Sequence, residues 1–235
     1  MSNNTKPKNE IRNWYALTAQ GLNKTKLDAN FNKHFIYPRT HVCCIGGTGS
    51  GKTTALLDFI ERSQGKFFRI IIFSGSTTQE PLYEYLKDKI PEVEMYNDIE
   101  ALPELSAFED DKEHEKLIVF DDFITLKSKE MSKITKYFVA GRKYGFSCWS
   151  MVQNYTSCPK PIIRNINIFI LFKLNDTVSL NNIMKNHILD SEYSRDEIKQ
   201  MYSLATKKTM NFFMIDLSRE TPHERKYRHN FLDFF

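Results

Sequence analysis

A glycine-rich segment constrains the fold of this sequence more than any other feature. The letters GGTGSGKT at residues 46–53 match the phosphate-loop pattern G-x-x-x-x-G-K-[ST]. The apolar run 41–45 leads into the segment, and a helical pattern over 52–64 leads out of it. A strand, a glycine-rich turn and a helix in this order favour anion binding, because backbone N–H groups and the helix N-terminus then surround phosphate oxygens. A glycine-rich turn without a ligand is the weaker interpretation.

Two side chains of this segment have roles that their chemistry predicts. Lys52 would bridge the β- and γ-phosphates of a nucleotide, and the Thr53 hydroxyl would ligate Mg²⁺. The segment therefore predicts a site for a nucleotide, which we expect to be ATP, together with Mg²⁺. The residues expected to line it are Gly46, Gly47, Thr48, Gly49, Ser50, Gly51, Lys52, Thr53 and Thr54.

A pair of acidic residues supplies the second half of such a site. In LIVFDD (117–122), four apolar residues precede Asp121 and Asp122. Asp121 would hold Mg²⁺, usually through water, and Asp122 would polarise the attacking water. Asp122 is one methylene shorter than the glutamate often found in this role. The pair could instead be the polar edge where a strand leaves the core, but the phosphate loop upstream favours the catalytic interpretation.

Gln153 directly follows another apolar run, residues 146–152. A neutral amide at a strand end can orient water or sense a γ-phosphate, although an isolated glutamine there is more often a surface residue. Gln153 is therefore a candidate catalytic residue, and the strength of this prediction depends on where its strand lies in the sheet.

Apolar runs and helical patterns alternate along most of the chain. Continuous apolar strands separated by helices indicate a mostly parallel sheet covered on both faces, an α/β fold. The predicted domain covers 41–217, between a basic N-terminal extension (1–40) and a C-terminal tail (218–235). Further predicted strands are 66–73, 116–120, 166–174 and 210–217, and further predicted helices are 82–90, 128–141, 177–189 and 194–205.

Charge is distributed unevenly along the sequence. Residues 1–40 carry a net charge of +5, residues 80–115 a net of −10, and residues 116–235 a net of +7. This pattern suggests one surface that repels a polyanion and another that attracts it, although ordinary solvated faces explain it equally well. A lysine stripe on the 128–141 helix is a candidate DNA track but is more typical of a solvated face. It consists of Lys129, Lys133 and Lys136.

Two further observations limit the class of protein. No apolar run approaches the ~20 residues that span a bilayer, and no signal peptide is evident, so we expect an intracellular protein. The four cysteines show no zinc-binding spacing, and we expect them to be small buried residues in a reducing compartment.

The motifs taken together resemble a known family. GGTGSGKTT, LIVFDDF, AGRKYG, SMVQNY and PIIRNINIFILFK occur in this order across residues 41–217. The series is similar to the genome-packaging ATPases of large DNA viruses and virophages, the poxvirus-type branch of the FtsK–HerA superfamily. The resemblance implies a RecA-like fold in which the strand before Gln153 lies between the phosphate-loop strand and the strand that ends at Asp121. The acidic region 80–115 and both tails depart from the family pattern.

The resemblance also implies how such a protein works. Its members assemble as homo-oligomeric rings and use ATP hydrolysis to move double-stranded DNA into a preformed capsid, so DNA and capsid proteins are expected partners. The expected location is the intracellular site of virus assembly, where the protein could associate with the virion.

Arg142 in AGRKYG is a candidate arginine finger. It follows the helix 128–141, which begins near Asp122 and is about 20 Å long at ~1.5 Å per residue. Its side chain should therefore not reach the γ-phosphate of its own subunit. Arg142 either caps that helix or acts on the nucleotide of a neighbouring subunit, which the resemblance favours. Arg164 is the rival candidate.

Other functions fit the sequence less well. A GTPase needs an [NT]-K-x-D motif after the phosphate loop, but TKLD (25–28) precedes it. A small-molecule kinase would need a lid segment, and a helicase would need strand-separation modules for which the chain has no room. A scaffold that binds ATP without productive turnover remains the non-enzymatic alternative.

Overall fold

The structure is a computed structural model, and it describes residues 27–76, 80–188, 191–218 and 221–235. Its strands are β1 (His41–Ile45), β2 (Arg69–Ser74), β3 (Val93–Tyr96), β4 (Lys116–Asp121), β5 (Phe146–Val152), β6 (Ile168–Leu171), β7 (Phe213–Asp216), β8 (Tyr227–His229) and β9 (Asp233–Phe234). Its helices are α1 (Lys52–Arg62), α2 (Pro81–Lys89), α3 (Ser128–Ala140), α4 (Lys160–Ile163), α5 (Val178–His187) and α6 (Arg195–Ala205).

Within the described residues, all nine strands form one sheet in the order β3-β2-β4-β5-β1-β6-β7-β8-β9. Every pairing among β1 to β6 is parallel, whereas β7, β8 and β9 add antiparallel strands at one side. The prediction of a mostly parallel α/β sheet is confirmed. β5 lies between β1 and β4, as the family resemblance implies.

Helices cover both faces of this sheet, as predicted. The strands alternate their side chains between the faces, so Cys43 and Ile45 of β1 point to one core and Val42 and Cys44 to the other. Helices α1 and α2 pack on the Cys44 face, and α3 to α6 pack on the Cys43 face. All four cysteines are free and buried, which confirms their prediction as small apolar residues.

Predicted and observed elements agree to within three residues at their ends. The sequence patterns overestimate several strands because apolar residues beyond the ladder are also buried. Phe172 and Phe212, for example, are 1% and 3% exposed but lie outside β6 and β7. Strand β3 was not predicted, since it is a short edge strand inside the acidic region and only Val93 is buried. Among the described residues, no helix is long and apolar enough to cross a membrane.

Residues 99–108 of the acidic region pack against α3, whereas α2 of the same region lies on the other face of the sheet. The Tyr137 hydroxyl donates a hydrogen bond to Pro103 O at 2.7 Å. Lys133 and Lys136 form ion pairs with Glu104 at 3.7 and 3.5 Å. Two of the three lysines of the candidate DNA track are therefore partly neutralised within the chain. The segment is anchored in the core by Ile99, Leu102, Leu105 and Phe108.

The described parts of both tails belong to the body of the molecule. Residues 218–235 are predicted to form a C-terminal tail, and the structure places the end of this tail in the sheet as β8 and β9. The sequence of this segment does not predict a buried strand because it contains polar residues such as Arg228, whose side chain is fully buried against Asp216. Residues 1–26 of the basic extension lie outside the described residues. Its later part is packed, with His34 and Ile36 buried.

Candidate functional site

The glycine-rich segment forms a tight turn between β1 and α1. The backbone N–H of Gly46 donates to Val152 O at 3.1 Å, which joins the start of the turn to the end of β5. Gly51 immediately precedes α1 and has φ 108°, a left-handed conformation that favours glycine. A Cβ on Gly51 would also lie 3.0 Å from Met210 Cα. The turn is therefore specified by its glycines and leads directly into a helix N-terminus.

Lys52 points back over this turn. Its Nζ donates hydrogen bonds to Gly46 O at 2.7 Å and to Gly47 O at 3.0 Å. A lysine held by its own loop places a positive charge at the mouth of the turn, beside the first backbone N–H groups of α1. Such an arrangement can bind an anionic group, and phosphate is the group that this geometry suits.

Strand register brings the other predicted residues to the same edge of the sheet. Asp121 of β4 is level with Ser74 of β2 and Met151 of β5. Gln153 follows β5 directly, one residue beyond the Val152 that is level with Ile45 of β1. Because parallel strands end together, the phosphate loop, the two aspartates and Gln153 meet at one carboxyl edge.

Asp121 is held by a residue that the sequence patterns did not single out. The hydroxyl of Tyr83 on α2 donates a hydrogen bond to Asp121 Oδ2 at 2.8 Å. Burial raises the pKa of the Asp121 carboxyl above its ordinary value, while the Tyr83 hydrogen bond and the positive charge of Lys52 oppose that rise. Tyr83 thus touches one of the two predicted metal ligands.

Asp122 and Gln153 are exposed at the surface of this edge. Asp122 has φ 48°, a left-handed conformation that aspartate tolerates better than most residues. Its backbone follows the turn out of β4, and the N–H of Gly75 donates to Asp121 O at 3.0 Å beside it. Both side chains are therefore free of the core and lie where a bound phosphate or water could reach them.

Arg142 and Arg164 lie elsewhere. Arg142 is in the turn between α3 and β5, and its guanidinium donates to Asn167 Oδ1. Asn167 also accepts a hydrogen bond from the backbone N–H of His41, the first residue of β1. Arg164 follows α4, shortly before β6 begins. Both arginines are exposed at the amino edge of the sheet, opposite the phosphate loop.

Sequence reasoning missed three residues at the carboxyl edge. Tyr83 lies on a helix whose pattern indicated only packing. Met210 lies in a loop without a motif, and it contacts the turn at Gly51. Asn175 follows β6, and its Nδ2 is 3.8 Å from the position of a Cβ on Gly47. A weak signal for Asn175 existed, because a polar residue after a strand next to β1 must lie near the phosphate loop.

The donor set suits a metal that is held mainly by phosphates and water. Within the described ranges, no group of three or more His, Cys, Asp or Glu side chains could form a metal cage. Thr53 and Asp121 supply one hydroxyl and one carboxylate, the oxygen ligands that Mg²⁺ accepts alongside waters. The residues present therefore fit a nucleotide-bound Mg²⁺.

The fold and this site define an α/β P-loop protein of the RecA-like type. The chain belongs to the poxvirus A32 protein family, whose model matches residues 29–218. Among curated protein sequences, none is significantly similar to it.

Solved structures share the fold at low sequence identity. The DNA-packaging ATPase B204 from Sulfolobus turreted icosahedral virus is 16% identical, with a TM-score of 0.56 over 82% of this chain and 97% of that chain. The genome-packaging NTPase B204 of Sulfolobus turreted icosahedral virus 2 in complex with AMP is 16% identical, with a TM-score of 0.58 over 83% and 98%. EssC (ATPases 2 and 3) from Geobacillus thermodenitrificans is 12% identical, with a TM-score of 0.51 over 76% and 38%.

Proposed function

We propose that this protein is an ATP-hydrolysing motor that moves double-stranded DNA into a preformed viral capsid. The observation that carries the proposal is the convergence of Lys52 and Thr53 of the phosphate loop with Asp121 at one edge of the sheet. Family membership and the fold shared with viral packaging ATPases support the DNA-packaging role.

The nucleotide would bind with its phosphates in the turn between β1 and α1. Backbone N–H groups and Lys52 would neutralise their charge. An open groove of about 1050 Å³ runs along α1, and both Thr54 and Met210 line it. Because these two residues adjoin the phosphate loop, the nucleoside would extend from the turn into the Thr54 side of this groove.

Thr53 and Asp121 would hold Mg²⁺ on the bound phosphates. When bound, the metal supplies charge neutralisation and orientation at the β- and γ-phosphates. Lys52 complements it by contributing a second positive charge from the loop itself. The two protein ligands come from separate elements, so a correctly folded sheet edge is needed to present both.

Asp122 and Gln153 would act on the attacking water. Asp122 can accept a proton, and the Gln153 amide can donate to and accept from a water without changing its charge. Both are exposed on adjacent strand ends beside the phosphate loop.

Arg142 would complete the site of a neighbouring subunit in a homo-oligomeric ring. Its position at the amino edge, opposite the phosphate loop, supports action in trans because it is remote from its own nucleotide. A guanidinium would neutralise charge that develops during hydrolysis. The ring would work at the intracellular site of virus assembly, with DNA and capsid proteins as its partners.

Steady-state ATP hydrolysis with and without duplex DNA tests the proposed function. The parent chain should hydrolyse ATP in Mg²⁺ and respond to DNA, and Lys52→Ala should abolish turnover because the phosphates lose their facing charge. Lys199→Ala, an exposed lysine on α6, is the matched control and should keep the parent rate. A Lys52→Ala variant as active as the parent would show that the site is misidentified.

The same assay separates the alternatives. Nucleotide binding without DNA-stimulated turnover would favour the scaffold that only binds ATP. Turnover that duplex DNA does not change would favour an ATPase unconnected with DNA movement.

A further inference from the structure

The buried phenol of Tyr83 contacts one of the two residues that would hold the metal. Tyr83 lies on α2, and its side chain is fully buried. Its hydroxyl is 2.8 Å from Asp121 Oδ2. A polar atom buried at this point and bonded to a site residue calls for a functional explanation, since core packing alone would be served by phenylalanine.

The chemistry of the two groups determines the direction of their hydrogen bond. A carboxylate only accepts, so the single proton of the Tyr83 hydroxyl is donated to Asp121 Oδ2. The phenol is therefore a fixed donor to this carboxylate.

This hydrogen bond arranges the carboxylate for cation binding. Because Asp121 Oδ2 accepts from a rigid buried phenol, the rotation of the carboxylate is set before any metal arrives. Outer-shell partners that orient ligands in this way typically change metal affinity 10–100-fold when they are removed.

We infer that Tyr83 is a positioning residue that pre-orients Asp121 for a nucleotide-bound divalent cation. This inference rests on the proposed function, because the cation is brought by the nucleotide. It assigns a role to a residue of α2, within the acidic region that otherwise departs from the family pattern.

The test compares Tyr83→Phe with the parent by binding of a fluorescent, non-hydrolysable ATP analogue. Affinity is measured first in EDTA and then over a Mg²⁺ titration. Tyr83→Phe should leave the affinity in EDTA unchanged and raise the Mg²⁺ concentration for half-saturation roughly 10-fold. Tyr137→Phe is the matched control, since this buried phenol on α3 donates to Pro103 O at 2.7 Å rather than to a site residue, and it should behave as the parent.

A second variant tests whether Tyr83 acts through Asp121. In an Asp121→Asn background, adding Tyr83→Phe should change the Mg²⁺ response far less than it does in the parent, because the positioned carboxylate is already gone. A Mg²⁺ response of Tyr83→Phe equal to that of Tyr137→Phe, or an equal loss of affinity with and without Mg²⁺, would overturn the role of Tyr83 alone. Failure of the parent chain to bind the analogue under any condition would overturn the proposed function as well.

Discussion

At the scale of single residues, the two adjacent aspartates of the site differ in burial and in backbone conformation. Asp121 is constrained by burial and by Tyr83, whereas the adjacent Asp122 turns out of the strand in a left-handed conformation and reaches the surface. Two neighbouring carboxylates therefore have different environments. Distinct environments allow one to serve as a metal ligand and the other as a base.

Replacing Asp122 by Asn should separate binding from chemistry. Asparagine keeps the shape and also tolerates φ 48°, so the fold and nucleotide affinity should be retained while turnover falls roughly 10²-fold or more. The measurements are nucleotide affinity and the steady-state rate of phosphate release. Asp122→Ala should lose turnover too and should also be less stable by about 1 kcal/mol, because alanine is strained in this conformation. Loss of nucleotide binding by a folded Asp122→Asn variant would assign Asp122 a ligand role instead.

At the scale of elements, β8 extends the sheet through a buried ion pair. Arg228 Nη2 lies 2.6 Å from Asp216 Oδ2 of β7, and both side chains are fully buried. Arg228 Nη1 also donates to His34 O at 3.1 Å, so one guanidinium joins the C-terminal strand to the segment before β1. This pair explains how a polar C-terminal sequence becomes part of the core.

Asp216→Asn should destabilise the protein strongly. It leaves the buried Arg228 without a neutralising charge, and breaking such a pair typically costs about 3–5 kcal/mol. Chemical denaturation measures the loss of free energy of unfolding. The comparison is Asp196→Asn, which removes an exposed ion pair with Lys199 and should cost about 1 kcal/mol or less. Equal effects of the two variants would show that the buried pair contributes no more than a surface pair.

At the scale of the whole molecule, the residues expected to act in hydrolysis lie at two opposite edges of the sheet. The carboxyl edge carries the phosphate loop, and the amino edge carries Arg142 and Arg164. Under the proposed function, these two edges would meet between neighbouring subunits of a ring.

Mixing two inactive variants tests Arg142. Arg142→Ala and Lys52→Ala should each lack activity, but mixed rings contain some interfaces with an intact phosphate loop and an intact Arg142, so part of the ATPase rate should return. Asn167→Ala is the control, because it removes one hydrogen-bond partner of Arg142 but keeps the arginine, and it should retain activity. Full activity of Arg142→Ala alone, or no recovery in rings shown to be mixed, would transfer the role to Arg164, which is tested in the same way.

Local patterns in the sequence were sufficient for the phosphate loop, for the strands that lead to Asp121 and Gln153, and for an α/β sheet with helices on both faces. Each depends on neighbours along the chain: glycines at a turn, apolar runs of strand length, and helical spacing of Ala55, Leu56, Phe59 and Ile60 in α1. The same local reading could not detect β3, because a short edge strand buries too little to leave an apolar pattern.

Tertiary structure alone decided which distant residues meet. Tyr83 is 38 positions from Asp121 in the chain, and nothing in the spacing of α2 distinguishes its phenol from a packing residue. In the sequence, Arg228 resembles an exposed residue of a polar tail, and only the structure shows that Asp216 lies beside it. Likewise, Lys133 and Lys136 have the sequence pattern of an exposed basic stripe, but Glu104 of the acidic region forms ion pairs with both. Charge pairing and burial depend on contacts across the sheet, and such contacts are set by the order of strands rather than by the order of residues.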